Sequence, residues 1–398
     1  MLKILIFIFI IVIGSDADEN VLKFYQATLQ NLKYSETYTL YKNANTLEQK
    51  AAGINRFANF SVDGGYTVTK ADRLTNRFNT TDISINDTID LFGKNSYKIN
   101  KIALDLKARE SALKIQKEKL FTSLIDMIGA YWQTKEQLSL HVKLLDEQQS
   151  VFDKLQKLNA SGAVSKMDII RFKTTLTLLK TQIIDEKQEV AKMDKQLNLY
   201  ASKETVPTLK DESLACTKED FLLQDPNVIL NDITARQLTE QSRSLSHGYL
   251  PVLVAGTSYQ KIDDPTANGD NYSFNISFHM PINGGDFKQS EALKAQSLSV
   301  KSQDIEYKIQ RENEYTARVK NIDSADKQLT ALKESLDDSL SSQEVIKKAF
   351  LKQYVDFNTY LQVLDQALSI QEQIIKTRYQ KYTQTVILNN IGSGAIYE

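Results

Sequence analysis

Cysteine is almost absent from this sequence, because Cys216 is the only one among 398 residues. A single cysteine cannot form an intrachain disulfide and excludes a cluster of thiolate metal ligands. Charge of one sign is also lacking, since 49 basic residues stand against 50 acidic ones. No global positive field attracts nucleic acid, so we expect no nucleic-acid partner.

Proline and glycine are scarce as well, with 5 prolines and 14 glycines, and no proline precedes Pro207. Proline inside a helix costs about 3 kcal/mol or more, so the long proline-free stretches permit long helices. Most glycines fall at expected boundaries between elements. Gly129 is the exception, because it lies within an expected helix.

Long apolar runs are missing except at the N-terminus. Residues 1–17 are expected to be a secretory signal, with Lys3, an apolar run from Ile4 to Ile13 and the small-residue cleavage site Ser15-Asp16-Ala17. This run is too short to span a bilayer as a helix. An uncleaved N-terminal anchor is the alternative. The sequence thus predicts an exported chain without membrane-spanning helices.

The chain repeats one order of elements, in residues 57–172 and again in 249–365. The first repeat, 18–205, is predicted to contain five elements in chain order. They are a helix, a β-hairpin at 57–91, a long helix at 94–160, a tip at 161–168 and a final helix. A polar linker is expected at 206–220. The second repeat, 221–398, has the same order, with a hairpin at 250–281, a long helix at 286–353 and a tip at 354–362. The shorter helices are expected at 20–52, 166–203, 221–247 and 360–391.

The two long helices carry a narrow apolar seam. In the first one, apolar residues recur at alternating steps of three and four, as in Leu113, Leu120, Leu124 and Met127. Sixty-odd helical residues would extend roughly 100 Å at the usual rise per residue. No single globular core is that long, so these helices are expected to pack on each other, within and between chains.

The four predicted strands alternate between apolar and polar residues. The fourth is the clearest, with Tyr272, Phe274, Ile276 and Phe278 alternating with Ser, Asn and His; the third, at 252–260, is ambiguous. Two interpretations remain open. The strands form a small sheet in a soluble protein, or their aromatic side faces lipid. Because four strands cannot close a barrel and open edges are not tolerated in lipid, the second interpretation requires oligomerisation.

No catalytic constellation is visible, so the sequence predicts a non-enzyme with no cofactor. His141, His247 and His279 lie far apart, and a lone histidine does not make a metal site. We therefore expect no metal centre.

The duplicated order resembles the TolC-like outer-membrane efflux proteins over nearly the whole mature chain. Three segments carry the resemblance: the strand–helix turns with Gly93 and with Gly284 and Gly285, and the tip from Asn358 to Asp365. The resemblance implies a mainly α fold with a small β part, in which a long antiparallel α-helical barrel joins four transmembrane β-strands per chain. Three chains would complete a 12-stranded β-barrel in the outer membrane, continued by a helical tunnel in the periplasm. The implied partners are two further copies, a periplasmic adaptor protein, an inner-membrane pump and outer-membrane lipid.

The resemblance also implies site residues. Asp365 matches one of two acidic residues at the periplasmic entrance, whereas Gln362 occupies the place of the other, and Asp356 stands where the family usually has glycine. Adaptor docking is expected at the two tips, through Gly162, Val164, Ser165, Asn358, Thr359 and Tyr360. The function implied is a channel component of a tripartite efflux or type I secretion system. The alternative is an exported coiled-coil structural or adhesin-like interaction protein.

Overall fold

The computed structural model describes residues 16–70, 77–162, 164–202, 204–263, 269–280 and 282–397. Most of the expected signal segment and Pro281 of the expected turn lie outside these residues. Eight helices and four strands follow in the order α1 Asp16–Asn31, α2 Tyr34–Phe57, β1 Phe60–Lys70, β2 Arg77–Ile89, α3 Lys94–Ala160, α4 Lys166–Tyr200, α5 Lys218–Leu223, α6 Pro226–Ser246, β3 Val252–Asp263, β4 Gly269–His279, α7 Gly284–Leu351 and α8 Phe357–Gly392. A short 3-10 helix at Ala395–Tyr397 comes last.

The two halves have matching elements. Helices α3 and α7 contain 67 and 68 residues, and α4 and α8 contain 35 and 36. This architecture confirms the predicted fold class, mainly α with four strands in one antiparallel sheet. Among the described residues, no helix has the length and hydropathy needed to cross a membrane.

Two expected helices are each divided in the structure. The one predicted at 20–52 is interrupted between α1 and α2, where Lys33 has a positive φ of 57°. The one predicted at 221–247 is interrupted before Pro226, which is the first residue of α6. Proline is favoured at that position because its missing N–H has no helical partner there. Pro226 is also the sequence signal that marks the second break.

The strands form one sheet in the order β1-β2-β3-β4, with every neighbour antiparallel. Val62 lies opposite Ile85, which lies opposite Thr257, which in turn lies opposite Phe274. Residues directly opposite each other in a sheet share a face. The register therefore decides which side of each strand is apolar, including the ambiguous third strand.

The chain divides into two compact units. One comprises Ser35–Ile115 and Pro226–Ile309, and contains the sheet. Within it, α6 and α7 meet through buried serines: the Ser242 and Ser290 hydroxyl oxygens are 2.8 Å apart, and Ser297 Oγ donates to the carbonyl oxygen of Ala235 at 2.9 Å. Small side chains allow the two helix backbones to approach closely, and each buried hydroxyl keeps a partner.

The other unit comprises the described residues of Met1–Tyr34, Gln116–Asp225 and Gln310–Glu398. Its main core joins α1, α3, α5 and α8 around fully buried Phe24, Phe121, Phe221 and Ile387. Gly129 of α3 belongs here. A Cβ at this position would collide with the Thr383 methyl group of α8, so the mid-helix glycine lets the two helices pack closely.

The expected polar linker is anchored to the helices at several points, although about half of its residues are exposed. Leu209 is 3% exposed, and the carbonyl oxygen of Pro207 accepts a hydrogen bond from Trp132 Nε1 at 2.7 Å. Asn389 of α8 donates to the Ser213 carbonyl oxygen at 3.0 Å and accepts from the Ala215 amide at 2.8 Å. These contacts hold the segment between α4 and α5 against the helices. A polar composition did not predict them, because the partners are distant in sequence.

A second core lies where α3 meets α4 and α7 meets α8. It contains Val151, Phe152, Leu155, Phe172, Leu176, Phe350, Phe357 and Tyr360. The Phe350 and Tyr360 rings are stacked with centroids 4.8 Å apart, and the Phe172 and Phe357 rings lie 5.6 Å apart. Aromatic pairs of this kind add to the stabilisation from burial alone. This tip core thus joins the two helical hairpins.

Tyr360→Phe should destabilise the protein by about 1–3 kcal/mol, because the Tyr360 hydroxyl donates to the buried Gln148 Oε1 at 2.7 Å. Combining Tyr360→Phe with Gln148→Met should recover most of this loss, since both polar partners are then removed together. Thermal unfolding of the purified protein in mild detergent measures both effects. Tyr354→Phe is the matched control, because Tyr354 is 79% exposed. Equal midpoints for Tyr360→Phe and the control would contradict the importance of this bond.

Candidate functional site: the two-faced sheet and the helical tips

One face of the sheet is apolar and uncovered. Its large side chains are between 45% and 79% exposed, namely Phe60, Val62, Tyr66, Val68, Ile83, Ile85, Tyr272, Phe274, Ile276 and Phe278. The cross-strand register places them on the same side. A contiguous apolar surface of this kind marks a site of contact with membrane or protein.

The opposite face is polar. Asp63, Ser84, Ser258 and Ser273 form one row across all four strands. In that row the Ser258 and Ser273 hydroxyl oxygens are 2.7 Å apart. The next row contains Ser61, Asn86, Gly256 and Asn275. The sheet therefore presents hydroxyl, amide and carboxylate groups on one side and mainly apolar side chains on the other, where Asp87, opposite Phe60, is a charged member.

Glycine at position 256 leaves room for the amide groups of that polar row. A Cβ there would overlap the Asn86 Oδ1 atom and lie 2.6 Å from Asn275 Oδ1. Gly256 itself is buried in β3. The third strand was ambiguous in sequence because Val252, Val254 and Gly256 occupy its polar-side positions.

The first tip is a tight turn between α3 and α4. Gly162 has a positive φ of 77°, a conformation that favours glycine. Ser165 caps α4 by accepting from the Asp168 amide at 3.1 Å, and Asn159 Nδ2 donates to the Val164 carbonyl oxygen at 2.6 Å. Gly162 and Ser165 are exposed, whereas Val164 is half-buried against the tip core.

The second tip has no glycine, and Gln353 takes the positive φ, 64°, in its turn. Asp356 caps α8 by accepting from the Thr359 amide at 2.9 Å. That backbone hydrogen bond, together with the Thr359 hydroxyl, lowers the pKa of Asp356. Asp356 is thus the N-cap of α8. Asn358 and Thr359 lie in the first turn of α8, with Asn358 exposed and Thr359 half-buried.

Tyr360 was expected to lie on the docking surface of the tip. In the structure it is buried. Its side chain is 1% exposed, and burial raises the pKa of its hydroxyl to about 12. The exposed apolar side chains at the tips are instead Tyr354, Met167 and Ile170. The sequence did not single them out, because exposed and buried aromatic residues look alike in a periodic pattern.

Gln362 and Asp365 both lie on α8 and both are exposed in the single chain. Partial burial nevertheless raises the pKa of Asp365. The two residues are three positions apart on one helix, so they lie on neighbouring parts of its surface.

The strand–helix turns differ between the halves. Gly93 has a positive φ of 76° before α3, which only glycine adopts easily. Gly284 and Gly285 are instead the first residues of α7, which begins two positions earlier than expected. Asn283 precedes this helix, and its Oδ1 accepts from the Gly285 amide at 3.1 Å.

The described residues contain no group of three or more His, Cys, Asp or Glu side chains arranged to hold a metal ion. Cys216 is buried, and burial raises the pKa of its thiol to about 11. The thiol is therefore protonated near neutral pH.

Several solved structures share this fold. CusC, whose structures concern folding and transmembrane channel formation, matches with 13% identity and a TM-score of 0.77, over 96% of this chain and 95% of that chain. The outer membrane protein VceC from Vibrio cholerae matches with 12% identity and a TM-score of 0.76, over 95% of this chain and 99% of that chain. The Campylobacter jejuni CmeC outer membrane channel matches with 13% identity and a TM-score of 0.73, over 95% of this chain and 86% of that chain.

No family model matches the chain, and no curated protein matches it in sequence. At identities this low, the similarity in structure establishes the shared fold. The chain has the fold of the TolC-like outer-membrane channels, as the resemblance in sequence implied.

Proposed function

We propose that this protein is a subunit of a homotrimeric duct in the cell outer membrane, with its helical tunnel in the periplasm. The exposed apolar face of the sheet carries the proposal. In water that face would be unfavourable, whereas outer-membrane lipid would cover it and leave the polar face towards a wet lumen. The solved structures with the same fold include outer-membrane channels, which supports this interpretation.

Oligomerisation follows from the edges of the sheet. Within the part of the chain that the structure describes, β1 and β4 each have one neighbouring strand, so the outer edge of each presents a row of backbone groups without a strand partner. In lipid, each backbone group without a hydrogen-bond partner costs roughly several kcal/mol of free energy, unless another strand supplies the partner. Pairing β4 of one copy with β1 of the next would close a barrel, and three copies would supply twelve strands.

Helix surfaces in the same unit also call for a partner. Leu40, Leu47 and Ile54 follow a seven-residue spacing on α2 and are 69%, 66% and 62% exposed. Leu298 and Ile305, spaced in the same way on α7, are 67% and 64% exposed. Heptad-spaced apolar seams pack against other helices, so we assign these seams to contacts between copies.

The duct would be passive. An inner-membrane pump would supply the energy, and a periplasmic adaptor would dock at the tips, through Gly162, Ser165 and Asn358 together with the exposed Tyr354 and Met167. This arrangement corresponds to the channel component of a tripartite efflux or type I secretion system. The entrance would be shut at rest and open when the tip helices realign.

The membrane assignment predicts opposite effects for two neighbouring substitutions. Phe274→Arg on the apolar face should cost about 2–4 kcal/mol at mid-membrane and remove the protein from the outer-membrane fraction. Ser273→Arg on the polar face should leave a trimer in that fraction, because the charge would meet water. Cell fractionation followed by native electrophoresis in mild detergent tests both. A wild-type protein found soluble in the periplasm would support the structural or adhesin-like alternative.

The docking assignment predicts that Tyr354→Lys combined with Met167→Lys abolishes transport while the trimer persists, because a charge replaces each exposed apolar side chain. Transport is measured as cellular resistance to exported compounds, beside trimer content. Leu178→Lys is the control, since Leu178 is 66% exposed but lies farther along α4. Normal transport by the double variant would place docking elsewhere.

The entrance assignment predicts that Asp365→Asn weakens block by divalent cations in planar bilayers. Three copies of Asp365 would bring three carboxylates together, and crowded like charges attract a cation. Asp337→Asn, on the exposed part of α7, is the matched control. Unchanged block in Asp365→Asn channels would remove Asp365 from the entrance.

A further inference from the structure

A buried histidine joins three helices. His141 of α3 is 1% exposed, and each of its ring nitrogens faces a carboxylate. Nδ1 lies 2.8 Å from Glu186 Oε1 and 2.9 Å from Glu186 Oε2, on α4. Nε2 lies 2.8 Å from Glu372 Oε1, on α8. These three side chains form what we call the His141 clasp.

The geometry requires a bound proton. A neutral imidazole carries one N–H, so it can donate to one of the two glutamates but not to both. Its other nitrogen would then set a lone pair against a carboxylate oxygen at hydrogen-bond distance. A protonated imidazole donates to both partners, and hydrogen bonds between charged groups are about twice as strong as neutral ones. The additional proton belongs on the ring, because imidazole is ordinarily more basic than a carboxylate.

The surroundings agree with a charged ring. The charged groups that face it are Glu186 of α4 and Glu372 of α8, and the neutral Gln182 of α4 places its Nε2 3.4 Å from Nδ1. Burial alone lowers the pKa of His141, but the hydrogen bonds and negative charges of Glu372 and Glu186 outweigh it and raise the pKa above its ordinary value. Glu186 and Glu372 remain partly exposed, at 16% and 34%. Protons can therefore enter and leave.

We propose that the His141 clasp is a proton-dependent lock between the α3–α4 hairpin and helix α8. With the proton bound, α8 is tied to α3 and α4; without it, one of the two ties becomes repulsive. The role in gating rests on the proposed function: where opening requires α8 to realign, acid holds the entrance shut and deprotonation favours opening.

The direction of the pH effect follows from linkage. The pKa of folded His141 lies above that of the unfolded chain, so the clasp stabilises fully below about pH 6.5, and this contribution is lost as pH rises through the folded pKa.

Thermal unfolding of the full-length protein in detergent, followed from about pH 6 to about pH 9, tests the lock, because the histidine titration falls in this range. We expect the midpoint of the wild type to fall as pH rises, and that of His141→Gln to stay nearly flat. His247→Gln is the matched control. The His247 ring lies against the backbone carbonyl oxygen of Arg243 and is not part of the His141 clasp. This variant should therefore keep the wild-type slope. An unchanged slope in His141→Gln would overturn the proposal.

Because His141→Gln alters a buried position, Glu372→Gln provides a second variant. It keeps the size and an acceptor oxygen but removes one negative charge, so it should lower the pKa of His141. Histidine-selective NMR on the wild type and Glu372→Gln reads this pKa directly, with His141→Gln and His247→Gln identifying the signals. A His141 signal that titrates no higher than an ordinary histidine, at about pH 6.5, would also overturn the lock.

Gating is tested separately in planar bilayers. Opening of the wild-type entrance should increase with pH over this range, and this dependence should be lost in His141→Gln. Channels that open with the same pH dependence in both proteins would overturn the gating role. If no variant forms channels at all, the proposed function fails instead, while the titration in detergent still decides the lock.

Discussion

The structure depends on apolar surface that a single chain carries but cannot bury by itself. The apolar face of the sheet and the heptad-spaced seams of α2 and α7 are all exposed. They belong to one unit, in which β1 and β4 are the two edges of the sheet among the described residues. Hydrophobic burial is the dominant favourable term in association. The proposed trimeric duct would bury the helix seams between copies, place lipid against the apolar face of the sheet and leave the polar face towards a lumen.

The other unit is held by side chains distant in sequence. At the tip core, stacked aromatic rings from α4, α7 and α8 join the two helical hairpins, and Tyr360 adds a buried hydrogen bond to Gln148. This packing removes Tyr360 from the surface. The side chains available to a partner are those the core does not use, such as Tyr354 and Met167.

Polar residues inside the helical packing have a different role from those on its surface. A buried ionisable group is tolerated when it is paired, and His141 is paired on both sides. Such a site defines one arrangement of three helices, and its strength depends on a proton. The same chain thus combines non-directional apolar packing with a directional contact that responds to pH.

Much of the architecture could be predicted from the sequence, because long helices and two-sided strands depend on local residue patterns. The scarcity of proline, the heptad spacing and the alternation of Tyr272, Phe274 and Ile276 predicted the long helices and the two-sided strands. Those patterns repeat over many residues, so single errors matter little. Local pattern could not place the break at Lys33, the α7 start at Gly284, the burial of Tyr360 or the pairing of His141 with Glu186 and Glu372. Each of these depends on which distant residues meet, and only the packing of the folded chain decides that.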